Sequence, residues 1–383
     1  MDVMLTRPRR RPPVSAGRAT LVGMVMLASA VTLGLTACTA SNPAAAQGTA
    51  AEAAASSPAA TPSSPAATGP SGQAAAIQSA FVSVINRVLP SVVEIRTSSG
   101  LGSGVVFDAK GDIVTNAHVV GSATSFQVYQ ASSASPLRAT LVGRYQPDDL
   151  AVVKVNQPGK LKAASFGDSA KLEVGDLVLA IGNPLGLAGS ATEGIVSAVG
   201  RTVPEPAGDG SPGATLPDTI QTSAAINPGN SGGALVSLAG QVVGIPTLAA
   251  TDQQLGGGAA PGIGFAISSD MAVRIARQLV ANGHVTSSGR AALGVEVATE
   301  VAPDGTPAGV GVVSVTSGGP AAKAGLRAGD LITAVNGTAT PDTQTLSAVL
   351  ANLRPGQVAS VRVDRPSGGS ATVKVTLGQL PGR

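Results

Sequence analysis

The chain has 383 residues, of which 12% are charged, 2% are aromatic and none is Trp. At roughly 100–200 residues per domain it holds two or three folded units. The net charge of +3 is unevenly spread: residues 1–37 carry Arg7, Arg9, Arg10, Arg11 and Arg18 against Asp2, a net of +4, so the remainder carries −1. That excludes a basic face for nucleic acid, which needs clustered Lys and Arg. The single Cys excludes an intramolecular disulfide and an all-Cys metal site, and only two His are present. No metal and no other cofactor is expected.

The N-terminus reads as an address. A basic start is followed by an apolar run from Ala19 to Leu35 and then by Leu35-Thr36-Ala37-Cys38. Basic, apolar and small-residue regions in that order predict a secretory signal over residues 1–37. The last four residues resemble a bacterial lipobox, in which a signal peptidase cuts before a lipid-modified Cys. Cys38 is therefore the expected lipid attachment site, on the outer face of the cell membrane. An uncleaved signal anchor and simple secretion are the alternatives, since about 17–25 apolar residues can span a bilayer. All three place the folded part outside the cytoplasm. Residues 38–76 are rich in Ala, Ser, Pro and Thr, with Glu52 the one charge. Such a stretch buries too little apolar surface to offset chain entropy and predicts a disordered tether.

From Ile77 the pattern changes to short apolar runs separated by Gly and Pro, a β signature. Val92 to Ile95 reads as a strand. Gly104 to Phe107 and Ile113 to Thr115 read as a hairpin turning through Asp108-Ala109-Lys110-Gly111. Leu150 to Val155 alternates as a strand, and Leu177 to Ile181 is apolar enough to be a buried one. Gly233 to Val236 and Gln241 to Ile245 flank a Leu238-Ala239-Gly240 turn. One helix closes the region. Ser269 would cap it, Ala272, Ile275, Ala276 and Leu279 would form its buried stripe, and Gly283 lies just past its end.

Three motifs carry chemistry. Thr115-Asn116-Ala117-His118-Val119-Val120 follows a strand, Asp149-Leu150-Ala151-Val152 opens one, and Gly229-Asn230-Ser231-Gly232-Gly233 sits in a turn. A Ser hydroxyl is a poor nucleophile at neutral pH and needs an adjacent base. His118 would take the proton of Ser231 and return it to a leaving amine, and Asp149 would orient the imidazole. The chain order His, Asp, Ser is that of trypsin-like proteases. The N–H groups around Gly229, Asn230 and Ser231 would form an oxyanion hole, worth roughly 3–4 kcal/mol per donor. Asp148, next to the acid, reads as a solvated turn residue. His284, in a polar link, reads as exposed.

These motifs, with Ala180-Ile181-Gly182-Asn183-Pro184-Leu185-Gly186, Gly194-Ile195-Val196-Ser197-Ala198 and Ile226-Asn227-Pro228-Gly229-Asn230-Ser231, resemble the HtrA/Deg proteases over roughly residues 80 to 380. The resemblance implies a mainly β fold: a trypsin-like double β-barrel over residues 77–284, with the triad in the cleft between the barrels. It also implies ATP-independent cleavage of unfolded polypeptide, and commonly a homotrimer. Two departures stand out, Ser223 where the family usually has Asp, and Pro246 where it usually has Asn. Proline lacks a backbone N–H, so one ladder donor is missing in the strand expected to pair with substrate. The family's primary specificity pocket would lie near Ile226, Ile245 and Leu248. No acid is evident there, which predicts small or medium apolar residues on the acyl side of the cut bond. Those side chains could equally be barrel core.

Residues 289–380 resemble a bacterial PDZ domain, an α+β fold: a strand near Ala292-Leu293-Gly294-Val295, another from Val310 to Val315, a small helix at Gly319 to Gly325, a turn at Val335-Asn336-Gly337 and a helix through Leu346, Val349, Leu350 and Leu353. Such domains capture chain ends as an added strand. Ala292, Leu293, Gly294 and Val295 would hold the carboxylate end, and Leu346 and Leu350 would line the groove. The expected partners are therefore unfolded polypeptides, protein C-termini and, through the anchor, a membrane. The function expected is a serine endopeptidase for envelope protein quality control or stress signalling. The alternative is a holdase or peptide-binding scaffold with latent proteolysis.

Overall fold

The computed structural model describes residues 72–382 apart from 99, 132, 134, 160, 184–188, 206–213, 228 and 253–257. The predicted signal, Cys38 and most of the predicted tether lie outside the described residues. No helix among those described is long and apolar enough to cross a membrane.

The first element is one the sequence reading did not foresee. Helix α1 (Gly72–Val88) begins inside the stretch read as tether. Its Ala-rich start gives little amphipathic signal, but Phe81, Val84, Ile85 and Val88 recur at helical spacing and pack on the protease core.

Six strands then close a first barrel: β1 (Val92–Arg96), β2 (Leu101–Val106), β3 (Asp112–Thr115), β4 (Ser125–Gln130), β5 (Leu137–Tyr145) and β6 (Leu150–Val155), in the order β1-β2-β3-β6-β5-β4. The predicted hairpin is β2–β3, with Val105 opposite Val114. A one-turn helix, α2 (Ala117–Val120), follows β3. A second barrel contains β7 (Leu177–Gly182), β8 (Ser190–Glu205), β9 (Ala214–Thr222), β10 (Ala234–Ser237), β11 (Val242–Asp252) and β12 (Gly258–Ser268), in the order β10-β11-β12-β9-β8-β7.

Strand period 2 sorts the apolar residues. Along β6, Ala151, Val153 and Val155 fill the first barrel, while Leu150 and Val152 point to a second cluster. That second cluster also holds Leu179, Ile181, Val236, Val242 and Ile245 from the other barrel and the apolar face of α3 (Ser269–Asn282). The barrels are therefore joined by one continuous core, which seats α3 on both. The predicted stripe of α3 is buried as expected. Its cap differs: Ser268 is the N-cap, and Ser269 lies within the helix with its hydroxyl on the Gly167 carbonyl. Gly283 ends the helix at φ 74°, the left-handed conformation that glycine adopts without strain.

The C-terminal unit pairs β13 (Ala291–Ala292) with a late strand and builds a five-strand path, β14 (Val295–Val301), β15 (Pro307–Val315), β16 (Leu331–Val335), β18 (Val358–Asp364) and β19 (Ser370–Thr376). The short β17 (Thr338–Ala339) pairs with β16, and β20 (Gly378–Gln379) is the partner of β13. Helices α4 (Pro320–Ala324) and α5 (Thr343–Ala351) cover it. The Asn336-Gly337 turn has φ 50° and 84°, the pair of positive angles a tight hairpin needs.

Because Ile275 of α3 is fully buried at the junction of the barrels, Ile275→Ala is expected to destabilise the protease unit by about 2–5 kcal/mol. Urea unfolding would read it; a loss under about 1 kcal/mol would mean that the site collapses to fill the space.

Candidate active site

The three residues singled out from the sequence come from separate elements. His118 is on α2, Asp149 ends the turn of residues 146–148 just before β6, and Ser231 sits in the turn before β10. Two of the three are directly joined. The Asp149 carboxylate is 0% exposed and Oδ2 lies 2.8 Å from His118 Nδ1. Its Oδ1 accepts from the His118 backbone N–H at 2.9 Å. Asp149 has a left-handed backbone, φ 49°, held from outside. Its carbonyl accepts from Ala117 N at 3.1 Å and Asn116 Nδ2 at 3.0 Å, which ties the acid to the His-bearing turn twice more.

Ser231 is joined to the acid through a residue not foreseen. The Ser231 hydroxyl donates to the Thr247 carbonyl at 3.1 Å, and Thr247 Oγ1 donates to Asp149 Oδ2 at 2.6 Å. Among the described residues no hydrogen bond links Ser231 Oγ to His118. Thr247 follows Pro246 in β11. A hydroxyl on a buried strand was the only signal for it in the sequence, and that is weak.

Glu205 was also missed. It ends β8, and its Oε1 stands 3.3 Å from His118 Nδ1, with the side chain 10% exposed. Its other oxygen, Oε2, is buried without a hydrogen-bond partner among the described residues. No local motif marks Glu205, because only the long β8–β9 hairpin brings it here. Burial alone would push the imidazole down, but the hydrogen bonds and charges of Asp149 and Glu205 outweigh it, and His118 is raised from 6.5 to about 10. Burial pushes the Glu205 carboxyl up, opposed by the adjacent imidazole. His118, Asp149 and Glu205 bring one ligand atom each to within 4.8 Å of one another, the one such grouping among the described residues. The imidazolium between two carboxylates accounts for that grouping as their counter-charge.

The turn before β10 is built around two glycines. Gly232 has φ 79°, and a Cβ there would strike the Ser103 carbonyl and Thr115 Oγ1. Gly229 has φ 103°, and its carbonyl accepts from Ser103 Oγ at 2.5 Å. The N–H of Asn230 donates to Asn227 O at 3.0 Å, so this predicted oxyanion donor is already engaged. The N–H groups of Gly229 and Ser231 make no hydrogen bond among the described residues. The two departures from the family pattern have visible places. Ser223 Oγ accepts from Ile195 N, and the Pro246 carbonyl accepts from Gly232 N.

The other expectations divide. Ile245 is wholly buried in the core between the barrels, which fits the barrel-core alternative for it. Ile226 is 7% exposed inside the second barrel, and the side chain of Leu248 lies outside the described residues. His284 is exposed as expected. Asp148, read as a solvated turn residue, is instead completely buried and paired with Arg290 at 2.9 Å. In the C-terminal unit Ala292 and Leu293 are buried, while Gly294 has φ 74°. Val295 opens β14, which lies at the edge of its sheet and borders α5. Leu350 of α5 is half-buried, and Leu346 is almost wholly inside the core.

Two six-stranded barrels with a buried carboxylate–imidazole pair and a glycine-bound Ser beside it define a trypsin-like serine endopeptidase, here carrying a C-terminal PDZ domain. The comparisons with known proteins agree. A trypsin-like peptidase domain matches residues 102–245, and a PDZ domain matches 291–377. The chain is 38% identical to the serine protease PepD of Mycobacterium tuberculosis over 81% of its own length and 71% of that protein. It is 36% identical to the periplasmic pH-dependent serine endoprotease DegQ of Escherichia coli, over 81% of its length and 66% of DegQ. Among solved structures, the HtrA-type protease AlgW with decapeptide matches with a TM-score of 0.53 and 32% identity, covering 79% of this chain and 99% of that one. The serine endoprotease from Yersinia pestis matches at 0.52 and 33%, covering 78% and 98%. The chain belongs to the HtrA/Deg family of serine proteases.

A protonated imidazole cannot accept the Ser231 proton. The raised His118 also stabilises the fold: that contribution is complete below 6.5 and is lost as pH rises towards about 10. Glu205→Gln removes one of the two carboxylates, so the acid limb of Ser231 labelling by a fluorophosphonate is expected to move to lower pH by about one unit or more. An unchanged limb would show that Glu205 does not face His118 in solution.

Proposed function

We propose that the chain hydrolyses peptide bonds of unfolded or exposed proteins outside the cytoplasm, with Ser231 as nucleophile, His118 as general base and acid, and Asp149 as the group that orients and charges the imidazole. The hydrogen-bonded pair His118–Asp149 carries this reading. Nδ1 faces the acid, which leaves Nε2 for the Ser231 proton. The described arrangement is a resting one, with Ser231 Oγ on Thr247 O and Glu205 on His118. Turnover requires the serine hydroxyl to rotate to His118 and Glu205 to withdraw. The N–H groups of Gly229 and Ser231 then meet the oxyanion of the tetrahedral intermediate.

The PDZ domain would take a C-terminal peptide as a strand on the β14 edge beside α5, with Leu293 and Gly294 near the carboxylate. The edge position of β14 supports this. An envelope location is supported by the predicted signal and by the periplasmic naming of the DegP-like and DegQ relatives, and a role in quality control is part of the same proposal. Attachment through lipid on Cys38 and assembly as a homotrimer are further parts of the proposal, supported by the lipobox order and by the family likeness.

A fluorophosphonate is expected to label the wild type and not Ser231→Ala; absence of label in both would support the scaffold reading. A peptide library is expected to show faster cleavage after Val or Ala than after Arg, and the reverse order would reject an apolar primary pocket. A saturating C-terminal peptide is expected to change the rate of casein cleavage, and an unchanged rate would remove gating by the PDZ domain.

A further inference from the structure

The residue before the catalytic acid is a carboxylate with no access to water. Asp148 is 0% exposed, and its salt-bridge partner among the described residues is Arg290, 10% exposed, at 2.9 Å. Arg290 lies in the segment that joins the protease unit to the PDZ domain, just before β13. Its Nη1 donates to Asp148 Oδ1 and also to the carbonyl of Pro147. One guanidinium thus holds two consecutive residues of the turn whose next residue is Asp149. Asp149 has φ 49°, an angle an L-residue keeps only where its surroundings over-determine it. On the far side, Asn116 and Ala117 grip the Asp149 carbonyl. On the near side Asp149 N donates to Gln146 O, Tyr145 pairs with Leu150 across the turn, and the Arg290 clamp grips Pro147 and Asp148.

Arg290 is itself anchored at the end of the chain. Its carbonyl accepts from Leu380 N at 2.8 Å, and its N–H donates to Ser288 Oγ, whose hydroxyl donates to Leu380 O. Next to it, Ala291 pairs with Gln379. Arg274 of α3 donates to Ser288 O and completes the cationic side of the nest. Two charges buried together in this way are a poor route to stability, since a hydrophobic pair often serves as well. They do fix geometry, because guanidinium–carboxylate contacts are directional.

We infer that Arg290 is a positioning residue for the catalytic carboxylate, acting through Asp148 and Pro147 to hold Asp149 against His118. The inference rests on the triad assignment above. The PDZ-proximal linker is then part of the catalytic scaffold, and a protease unit cut before Arg290 would lack one wall of its acid turn.

The test compares full-length wild type, Arg290→Lys and the double variant Asp148→Asn/Arg290→Gln. The double variant removes both charges together and leaves an amide at each position, which avoids a stranded buried carboxylate. The readouts are the fluorophosphonate labelling rate, kcat and KM on one peptide, melting temperature and C-terminal peptide binding. Both variants are expected to melt and bind peptide like the wild type. Labelling rate and kcat should fall together, about ten- to hundredfold in the double variant and less in Arg290→Lys, with KM within about twofold. Wild-type labelling rates in either folded variant would overturn the inference and leave the triad reading intact. A fall in kcat that tracks lost melting temperature, or a fall in KM-dependent binding alone, would also overturn it, because a merely structural clamp acts that way. No labelling of the wild type would instead remove the triad reading, and this inference with it.

Discussion

A carboxylate taken entirely out of water must be repaid by fixed donors, and Asp149 is surrounded by them. The His118 N–H, the His118 ring and the Thr247 hydroxyl all point at its two oxygens. His118 comes from α2 above the first barrel, and Thr247 comes from β11 of the second. The same carboxylate therefore locks the imidazole and ties the barrels across their cleft. Without it, both the tautomer of His118 and the seat of β11 beside Ser231 would lose their reference.

The resting arrangement follows from the same charge. One buried acid raises the basicity of the imidazole, and a second, Glu205, raises it further. The second acid sits at the end of a long hairpin whose neighbouring residues also touch the PDZ helix α5, where Thr202 Oγ1 donates to Asn352 Oδ1 at 2.9 Å. A hairpin that meets the PDZ domain at one point and the catalytic imidazole at another is a physical link between the two units. Any ligand that favours one position of the hairpin must alter both sites, because the coupling is reciprocal.

The linker makes a second such link. The nest of Arg274, Ser288, Arg290 and Leu380 joins helix α3, the inter-unit segment and the end of the PDZ domain at the turn that bears Asp149. The PDZ unit keeps its own core, built from Leu293, Val310, Ile332, Leu346 and Val361 among others. Its attachment to the protease is polar and hydrogen-bonded at this point, which suits a joint whose geometry matters more than its strength.

By itself the sequence determined most of the strands, the stripe of α3 and the Asn336-Gly337 turn, and it singled out the three residues proposed to react. Those depend on local periodicity, turn chemistry and short motifs, all of which are written within about ten residues. Tertiary structure alone decided what surrounds the triad. Glu205, Thr247 and Arg290 stand far from His118 and Asp149 in sequence and carry no local pattern; the second barrel brings in Glu205 and Thr247, and the linker to the PDZ domain brings in Arg290. The same cause overturned the reading of Asp148, which looked like a solvated turn acid until the linker supplied Arg290, and it placed Ile245, left open between pocket wall and barrel core, inside the shared core. Burial and charge pairing are properties of distant neighbours, and a one-dimensional pattern does not contain them.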